Sequence, residues 1–497
     1  MGRTMMREGV VPGAVSMRAA SSGAAWHAAA SLQRPLSEKA QRHAAGLARD
    51  LAGQLLRRIP TPVAARLWTG EEIRFGAGEP AFTLVVRDPR ALAEALWRRD
   101  PLALVEAYLR DRIDIEGDLE AALALRERIA ASPLRRWPGM RAAWTALRFF
   151  AALGTLRERG ALRARPGLAR STHSLAEDRE SVRFHYDVSN DFYRLWLDEE
   201  MVYSCAYFER GDETIDAAQR AKLDHICRKL RLTAGEALLD IGCGWGALVR
   251  RASRHYGATA HGVTLSPRQL EHARERIAVE GLGGRCRVDL RDYRELGGAA
   301  RFDKIASVGM FEHVGLRNLP AYFSAVERLL KPGGLFLNHG ITRAGEGWPD
   351  TPETRFINRY VFPGGELDSL GNVVRAMERA ELEILDVEAL RPHYALTLRH
   401  WAQRLERRRD QARAYVPEAT LRLWRLYMLA CAREFEAGSI GVYQILAAKR
   451  GTPPGSLALT RAHLYGARAG DGARGTSATA AHERGYAPSR ETGDEER

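Results

Sequence analysis

The stretch ALLDIGCGWGALV, residues 237–249, decides the fold. An apolar run ends in Asp240 and Ile241, and three alternating glycines, Gly242, Gly244 and Gly246, then turn the chain into a helical pattern. Glycine admits positive φ and lets a ligand approach main-chain N–H groups, while the following helix presents its positive end. A buried strand entering such a turn is a nucleotide-type cofactor site. Gly242, Gly244 and Ala247 also satisfy the loose G-x-G-x-x-G/A pattern of dinucleotide binders.

The next segment separates the cofactors. Dinucleotide binding expects an acid about 20 residues past the glycines, whereas YGATAHGVTLSPRQL, 256–270, contains none. Asp240, two residues before the first glycine, instead resembles the first motif of S-adenosylmethionine (SAM) methyltransferases. Outward from this turn, strands and helices alternate over residues 181–450. The patterns predict helix 215–230, strand 237–241, helix 247–256, strand 258–264, helix 267–280, strand 285–290, strand 302–308 and helix 320–330. A turn at KPGG follows, then strands 335–339, 382–387 and 442–447. The expected class is a doubly wound, seven-stranded α/β domain of Rossmann-like methyltransferase type, preceded by a smaller α+β domain over 37–129. That domain shows a helix near 40–58, the strand-like FTLVVRD at 82–88, helices after Pro89 and Pro101, and a short strand at 112–115 turned by Gly117 into a helix.

A chain of 497 residues is too long for one ordinary domain. A net charge of +13 favours anionic partners, nucleic acid or acidic lipid headgroups, against the plainer reading of solvated arginines. Charge concentrates in 134–170, where nine arginines face one acid, Glu158; residues 130–180 form an Arg-rich linker and helix. At helical spacing Ala142, Ala146, Phe149, Leu153 and Leu156 share one face, Arg141 and Arg148 a flank, and Trp144 and Leu147 the opposite side. This fits an interfacial membrane helix and a packed interdomain helix equally. Cys205, Cys227, Cys243, Cys286 and Cys431 show no metal-binding spacing, which implies a reducing cytoplasm and no structural metal. No apolar run is long enough to span a bilayer. Residues 1–36 read as a disordered leader and 451–497 as a disordered tail.

Several residues invite chemistry. Tyr203, Ser204 and Cys205 lie in the aromatic-rich 184–209, which reads equally as a lid over a pocket or a helix with buried aromatics. Asp292 and Tyr293 follow the third strand, where an acid can accept from an adenine amine and a ring can cover it; a surface pair is the alternative. Glu312 follows the fourth strand and His339 ends the fifth at the ligand-binding edge, where Glu312 reads as functional before structural and His339 equally as functional or as a satisfied core residue. Tyr394 begins a helix, which it either anchors or equips.

HYDVSNDFY, YSCAYF, LDIGCGWG, GVTLSPRQ, SVGMFEHVG, LKPGG, YVFPGGEL and HYALTL, in this order, resemble the cyclopropane-fatty-acyl-phospholipid synthase family, which includes the mycolic acid cyclopropane synthases. EAYLRDRIDIEGDL, 106–119, is similar to the family's amino-terminal lipid-handling domain. The resemblance implies SAM-dependent methylene addition to a cis double bond of a membrane phospholipid acyl chain. It implies bound bicarbonate as base, held at Cys205, Glu312, His339 and Tyr394 with the Ile341 backbone near, and a catalytic reading of Cys431 beside a structural one. It places SAM at Tyr203, Ser204, Asp240, Gly242, Gly244, Gly246, Thr264, Ser266, Gln269, Asp292 and Tyr293, with Gln269 and the Thr264 backbone serving where an acid usually grips the ribose. Ser189, Ala247 and Leu319 depart from the family pattern outside the bicarbonate shell. The implied setting is cytoplasmic and peripheral at the inner face of an anionic membrane, without nucleic acid, and compatible with a homodimer. Rival readings are a SAM methyltransferase giving methyl-branched lipid or acting on a small amine, and a catalytically silent lipid-binding protein.

Overall fold

A computed structural model describes residues 36–56, 62–98, 100–131, 140–154, 173–186 and 188–465. The expected leader, most of the expected tail and part of the Arg-rich stretch, Leu156 included, lie outside the described residues. The chain divides into Met1–Leu457 and Ala458–Arg497; the latter contains the short helix Ala462–Tyr465.

The first part begins with a small α+β region. Strands β1 (Val63–Arg66), β2 (Glu72–Phe75), β3 (Phe82–Val86) and β4 (Ile113–Gly117) form a sheet in the order β2-β1-β3-β4. β1 and β3 are parallel, and the other pairs antiparallel. Helices Glu38–Leu56, Pro89–Arg98, Pro101–Leu109 and Leu119–Ala131 accompany it. Asp100 caps the third of these by accepting from Leu102 N at 3.1 Å, with Pro101 in the first turn where no amide is needed. β1 and β2 are additions to the sequence reading. Each is four residues long, and the Ala-rich β1 has little β-propensity of its own.

Helix Met140–Ala152 buries Ala142, Ala146 and Phe149, and with the following Leu153 these pack against Ala44, Ala45, Leu47, Ala48 and Leu51 of helix Glu38–Leu56. Its apolar stripe therefore joins the small region. Met140, Trp144 and Leu147 remain exposed on the other side, with Arg141 and Arg148 beside them.

The larger sheet contains β5 (Ala237–Ile241), β6 (Thr259–Thr264), β7 (Cys286–Leu290), β8 (Phe302–Val308), β9 (Leu330–Arg343), β10 (Leu382–Ala389) and β11 (Ile440–Lys449), ordered β10-β11-β9-β8-β5-β6-β7. It is parallel except for β11, which runs antiparallel to both neighbours. Leu238 joins the core on one face and Leu239 and Ile241 the core on the other. Burial on both faces explains the unbroken apolar run. From β5 the chain first builds outward through β6 and β7, then resumes on the other side at β8. The crevice for a ligand opens at that switch, beyond the carboxyl ends of β5 and β8.

The expected turn at KPGG is instead part of β9. Leu330 pairs with Phe302 and Leu335 with Lys304, so the intervening residues bulge and the strand continues. Arginines tie the small region to the large one: Arg355 to Asp100 at 3.0 Å, Arg359 to Glu106 at 3.0 Å, Arg399 to Glu120 at 2.5 Å, and Arg422 to Asp111 and Asp114 at 2.6 and 3.1 Å. Part of the basic excess is thus consumed internally.

Candidate active site

The turn after β5 is held by its glycines. Gly242 has φ +77°, and a Cβ there would lie 2.7 Å from Met310 Cγ; Gly246 has φ +84°, and its Cβ would lie 2.9 Å from Ala273 Cβ. Only glycine fits both the conformation and the space. The resulting cavity, about 140 Å³, is lined by Tyr203, Ser204, Asp240, Gly242, Gly244, Thr264, Gln269, Asp292 and Tyr293 from the expected cofactor set. Gly246 and Ser266 are not among its walls. Gly246 forms the helix start, donating to Cys243 O at 2.9 Å, and Ser266 caps helix Pro267–Val279 by accepting from Gln269 N at 3.3 Å. They shape the backbone that the other residues use.

Burial dominates the electrostatics. It pushes the Asp240 carboxyl up to about 7, with Lys222 pulling the other way. Lys222, missed in the sequence reading, is buried against the same cavity, donates to Ser204 Oγ at 2.9 Å and is itself pushed down to about 8 by desolvation. Its signal was a lysine on the buried stripe of helix Ile215–Lys229, in step with Ala218 and Ile226. Thr264 Oγ1 donates to Gln269 Oε1 at 2.6 Å. Asp292 caps the turn Tyr293–Glu295 and is gripped by Arg294 at 2.7 Å, while the Tyr293 ring meets Tyr322 edge-on at 5.3 Å.

A second cavity, about 750 Å³ and mainly apolar, contains all five expected catalytic residues, Cys205, Glu312, His339, Tyr394 and Cys431, together with Ile341. Tyr203, Ser204, Gly309 and His313 line both cavities. A group carried in the first can therefore meet a chain carried in the second across this wall. The segment 184–209 serves both alternatives weighed for it: Phe192, Tyr193 and Trp196 are fully buried, and Tyr203, Ser204 and Cys205 face the cavities.

Glu312 lies in the turn Phe311–His313. Its Oε1 accepts from Ile341 N at 2.8 Å and its Oε2 is buried with no partner among the described residues. Burial pushes the carboxyl up to about 7. The Ile341 amide is thus already engaged by Glu312. His339 is buried; burial, then the cations Lys222 and Lys229, hold it well below the usual imidazole range, so it is neutral. Gln444, across the β9–β11 register, places Nε2 3.2 Å from His339 Nδ1. With Gln444 donating, Nδ1 is the acceptor and Nε2, otherwise unpartnered among the described residues, carries the hydrogen. Gln444 was invisible to local pattern because its role depends on strand register.

Burial raises both thiols. Cys205 donates to Ala206 O at 3.3 Å and lies well above the ordinary thiol, and Cys431 is pushed up to about 12. For Cys205 the nearby Lys222 pulls the other way, but burial outweighs it. Tyr394 is likewise held protonated by burial and packs on Phe435 at 4.6 Å. Among the described residues no group of three or more His, Cys, Asp or Glu could hold a metal ion, and no helix is long and apolar enough to cross a membrane.

A seven-stranded sheet with one reversed strand and a glycine-turn cavity at its switch point defines a SAM-dependent methyltransferase. A family model described as mycolic acid cyclopropane synthetase matches residues 173–445, and one described as a domain of unknown function matches 53–136. The chain is 42% identical over 396 residues to a probable fatty acid methyltransferase of Pseudomonas putida, covering 79% of this chain and 93% of that one. It is 33% identical over 421 residues to the tuberculostearic acid methyltransferase UfaA1 of Mycobacterium tuberculosis, covering 81% and 92%. A crystal structure of the mycolic acid cyclopropane synthase CmaA1 complexed with SAH and CTAB superposes with TM-score 0.51 at 35% identity, covering 56% of this chain and 99% of that one. The chain belongs to the mycolic acid cyclopropane synthetase family.

Proposed function

We propose that the protein transfers a methylene group from SAM to the cis double bond of an unsaturated phospholipid acyl chain. The observation that carries this reading is that Tyr203, Ser204, Gly309 and His313 line both a small cavity at the glycine turn, with Asp240, Gln269 and Asp292 in its walls, and a large apolar one. SAM supplies an electrophilic methyl group. The apolar walls keep water from the carbocation left when the alkene takes that methyl, and they hold a weak nucleophile in line with it. One proton must then leave the transferred carbon for the ring to close.

Bicarbonate, held by the side chains of Glu312, His339, Tyr394 and Cys205, would accept that proton. The donor set fits a small anion. Glu312 is protonated below about 7 and can donate, His339 presents Nε2–H, and Tyr394 and Cys205 keep their protons. Incubation with SAM and dioleoyl phosphatidylglycerol vesicles, followed by mass spectrometry and proton NMR of the lipid, tests this: the expected product gains one CH2 and shows upfield ring protons.

A methyl-branched product is the second reading, favoured by the names of two relatives that cover 79% and 81% of this chain. In that case the cation loses a proton from a neighbouring chain carbon, and the product shows alkene protons without ring protons. For the membrane partner, the exposed Met140, Trp144 and Leu147 flanked by Arg141 and Arg148 support docking on an anionic bilayer in a cytoplasmic, peripheral setting. Vesicle sedimentation of a W144S/L147S variant tests it: loss of binding to anionic vesicles is expected, and unchanged sedimentation refutes it.

A further inference from the structure

The small region's sheet has two unlike faces. Ala64 and Val85 on one face are buried, at 0% and 8% exposure. On the other, Ile73, Ala65, Leu84 and Ile115 stand side by side across β2, β1, β3 and β4, and all four line the 750 Å³ cavity. Protein interiors are normally packed with few voids larger than a water molecule. A whole apolar sheet face bordering empty volume is therefore a binding surface, and its lack of polar partners makes it unsuited to ordered water.

The cavity is continuous from this sheet to Glu312 and His339. Its charged lining residues, among them Arg343, Glu353 and Glu434, come from the larger region; the lining residues described in the small region are apolar apart from Tyr108. Glu353 and Ser439 are exposed, whereas Val63, Phe82 and Leu125 at the sheet end are buried. The polarity of the lining matches a ligand with one polar and one hydrocarbon end in one sense, headgroup toward Glu353 and methyl terminus toward Phe82.

We propose that the small region, which a model described as a domain of unknown function matches over residues 53–136, is the receptacle for the methyl-terminal part of the reacting acyl chain and sets how many carbons lie beyond the double bond. This rests on the alkene-lipid reading above. Because the cofactor wall fixes where the double bond sits and Val63, Phe82 and Leu125 close the far end, the cavity measures the intervening length.

The test offers the full-length protein phosphatidylglycerols carrying myristoleoyl, palmitoleoyl or oleoyl chains, in mixture, and reads product ratios. These chains share the double-bond position counted from the carboxyl and lengthen by two carbons on the methyl side. Ala65→Phe and Ala122→Phe, both remote from the reacting groups, should cut oleoyl conversion relative to myristoleoyl by ~10-fold or more, the usual scale for excess methylenes in an apolar pocket. Phe82→Ala should shift the ratio the opposite way, which keeps the test valid where a filling variant fails to fold. SAH affinity, by calorimetry, should hold in all three. A wild type that converts none of the lipids overturns the alkene-lipid reading. A wild type that converts them while the variants leave the ratios unchanged, or lower all three equally, overturns the receptacle.

Discussion

Replacing Glu312 by Gln should stabilise the protein at neutral pH and not at acid pH. The side chain is buried, one oxygen accepts from Ile341 N, the other has no partner among the described residues, and burial raises the carboxyl from 4.5 to about 7. Below about pH 4.5 both folded and unfolded chains carry the proton, and the group contributes nothing to the pH dependence. Between about 4.5 and about 7 the unfolded chain loses the proton first, so the folded state binds more protons and stability falls as pH rises. Above about 7 the full penalty is present. At about 1.4 kcal/mol per pH unit the gap amounts to ~3 kcal/mol. Gln keeps the size and the acceptor for Ile341 N but cannot ionise. Urea denaturation of both proteins from about pH 4.5 to about pH 8.5 should show the variant gaining ~3 kcal/mol on the wild type across the range. Parallel curves would refute the argument, because a fixed offset reports packing and not ionisation. The same substitution should abolish most lipid conversion, which would make Glu312 a residue kept at a cost to stability.

Gln444→Leu removes the partner of His339 Nδ1 and should lower turnover by ~10- to 100-fold, the cost of one buried unsatisfied nitrogen; SAH affinity measured by calorimetry should not change, and a parallel loss of binding would contradict the positioning role. Lys222→Met withdraws the buried ammonium beside Ser204 and Asp240 and should weaken SAH binding by at least ~10-fold; an unchanged Kd would count against Lys222 as part of the cofactor wall. Gly246→Ala forces a left-handed residue with its Cβ 2.9 Å from Ala273, costing ~1–2 kcal/mol from the backbone alone, so the thermal midpoint should fall by ~1–2 °C or more once the contact with Ala273 is added. A melt superimposable on the wild type would show that the turn relaxes.

The parts of the fold readable in the sequence are those fixed by local pattern. β5, β8 and helix Ala247–Tyr256 have the bounds expected from them, because apolar runs covered on both faces and glycine punctuation leave little choice. β1 and β2 escaped because four-residue strands exist only through their neighbours. KPGG reads locally as a turn, yet pairing with β8 on both sides carries the strand through it. At the site, Cys205, Glu312, His339 and Tyr394 stand out by residue type and position, their shared role comes from a family resemblance, and the structure gathers them around one cavity. Lys222 and Gln444 were not, since each matters through a partner 18 or 105 residues away that no periodicity marks. The sheet-lined cavity was hidden for the same reason: alternating Phe82, Leu84 and Val86 read the same whether the face meets a helix or a void.

The wall formed by Tyr203, Ser204, Gly309 and His313 has a kinetic consequence. On the proposed reading cofactor and lipid occupy separate cavities, so neither would have to leave before the other could enter or depart. Catalysis would then run through a ternary complex reached by either route, and initial rates with SAM and lipid both varied would give intersecting and not parallel reciprocal plots.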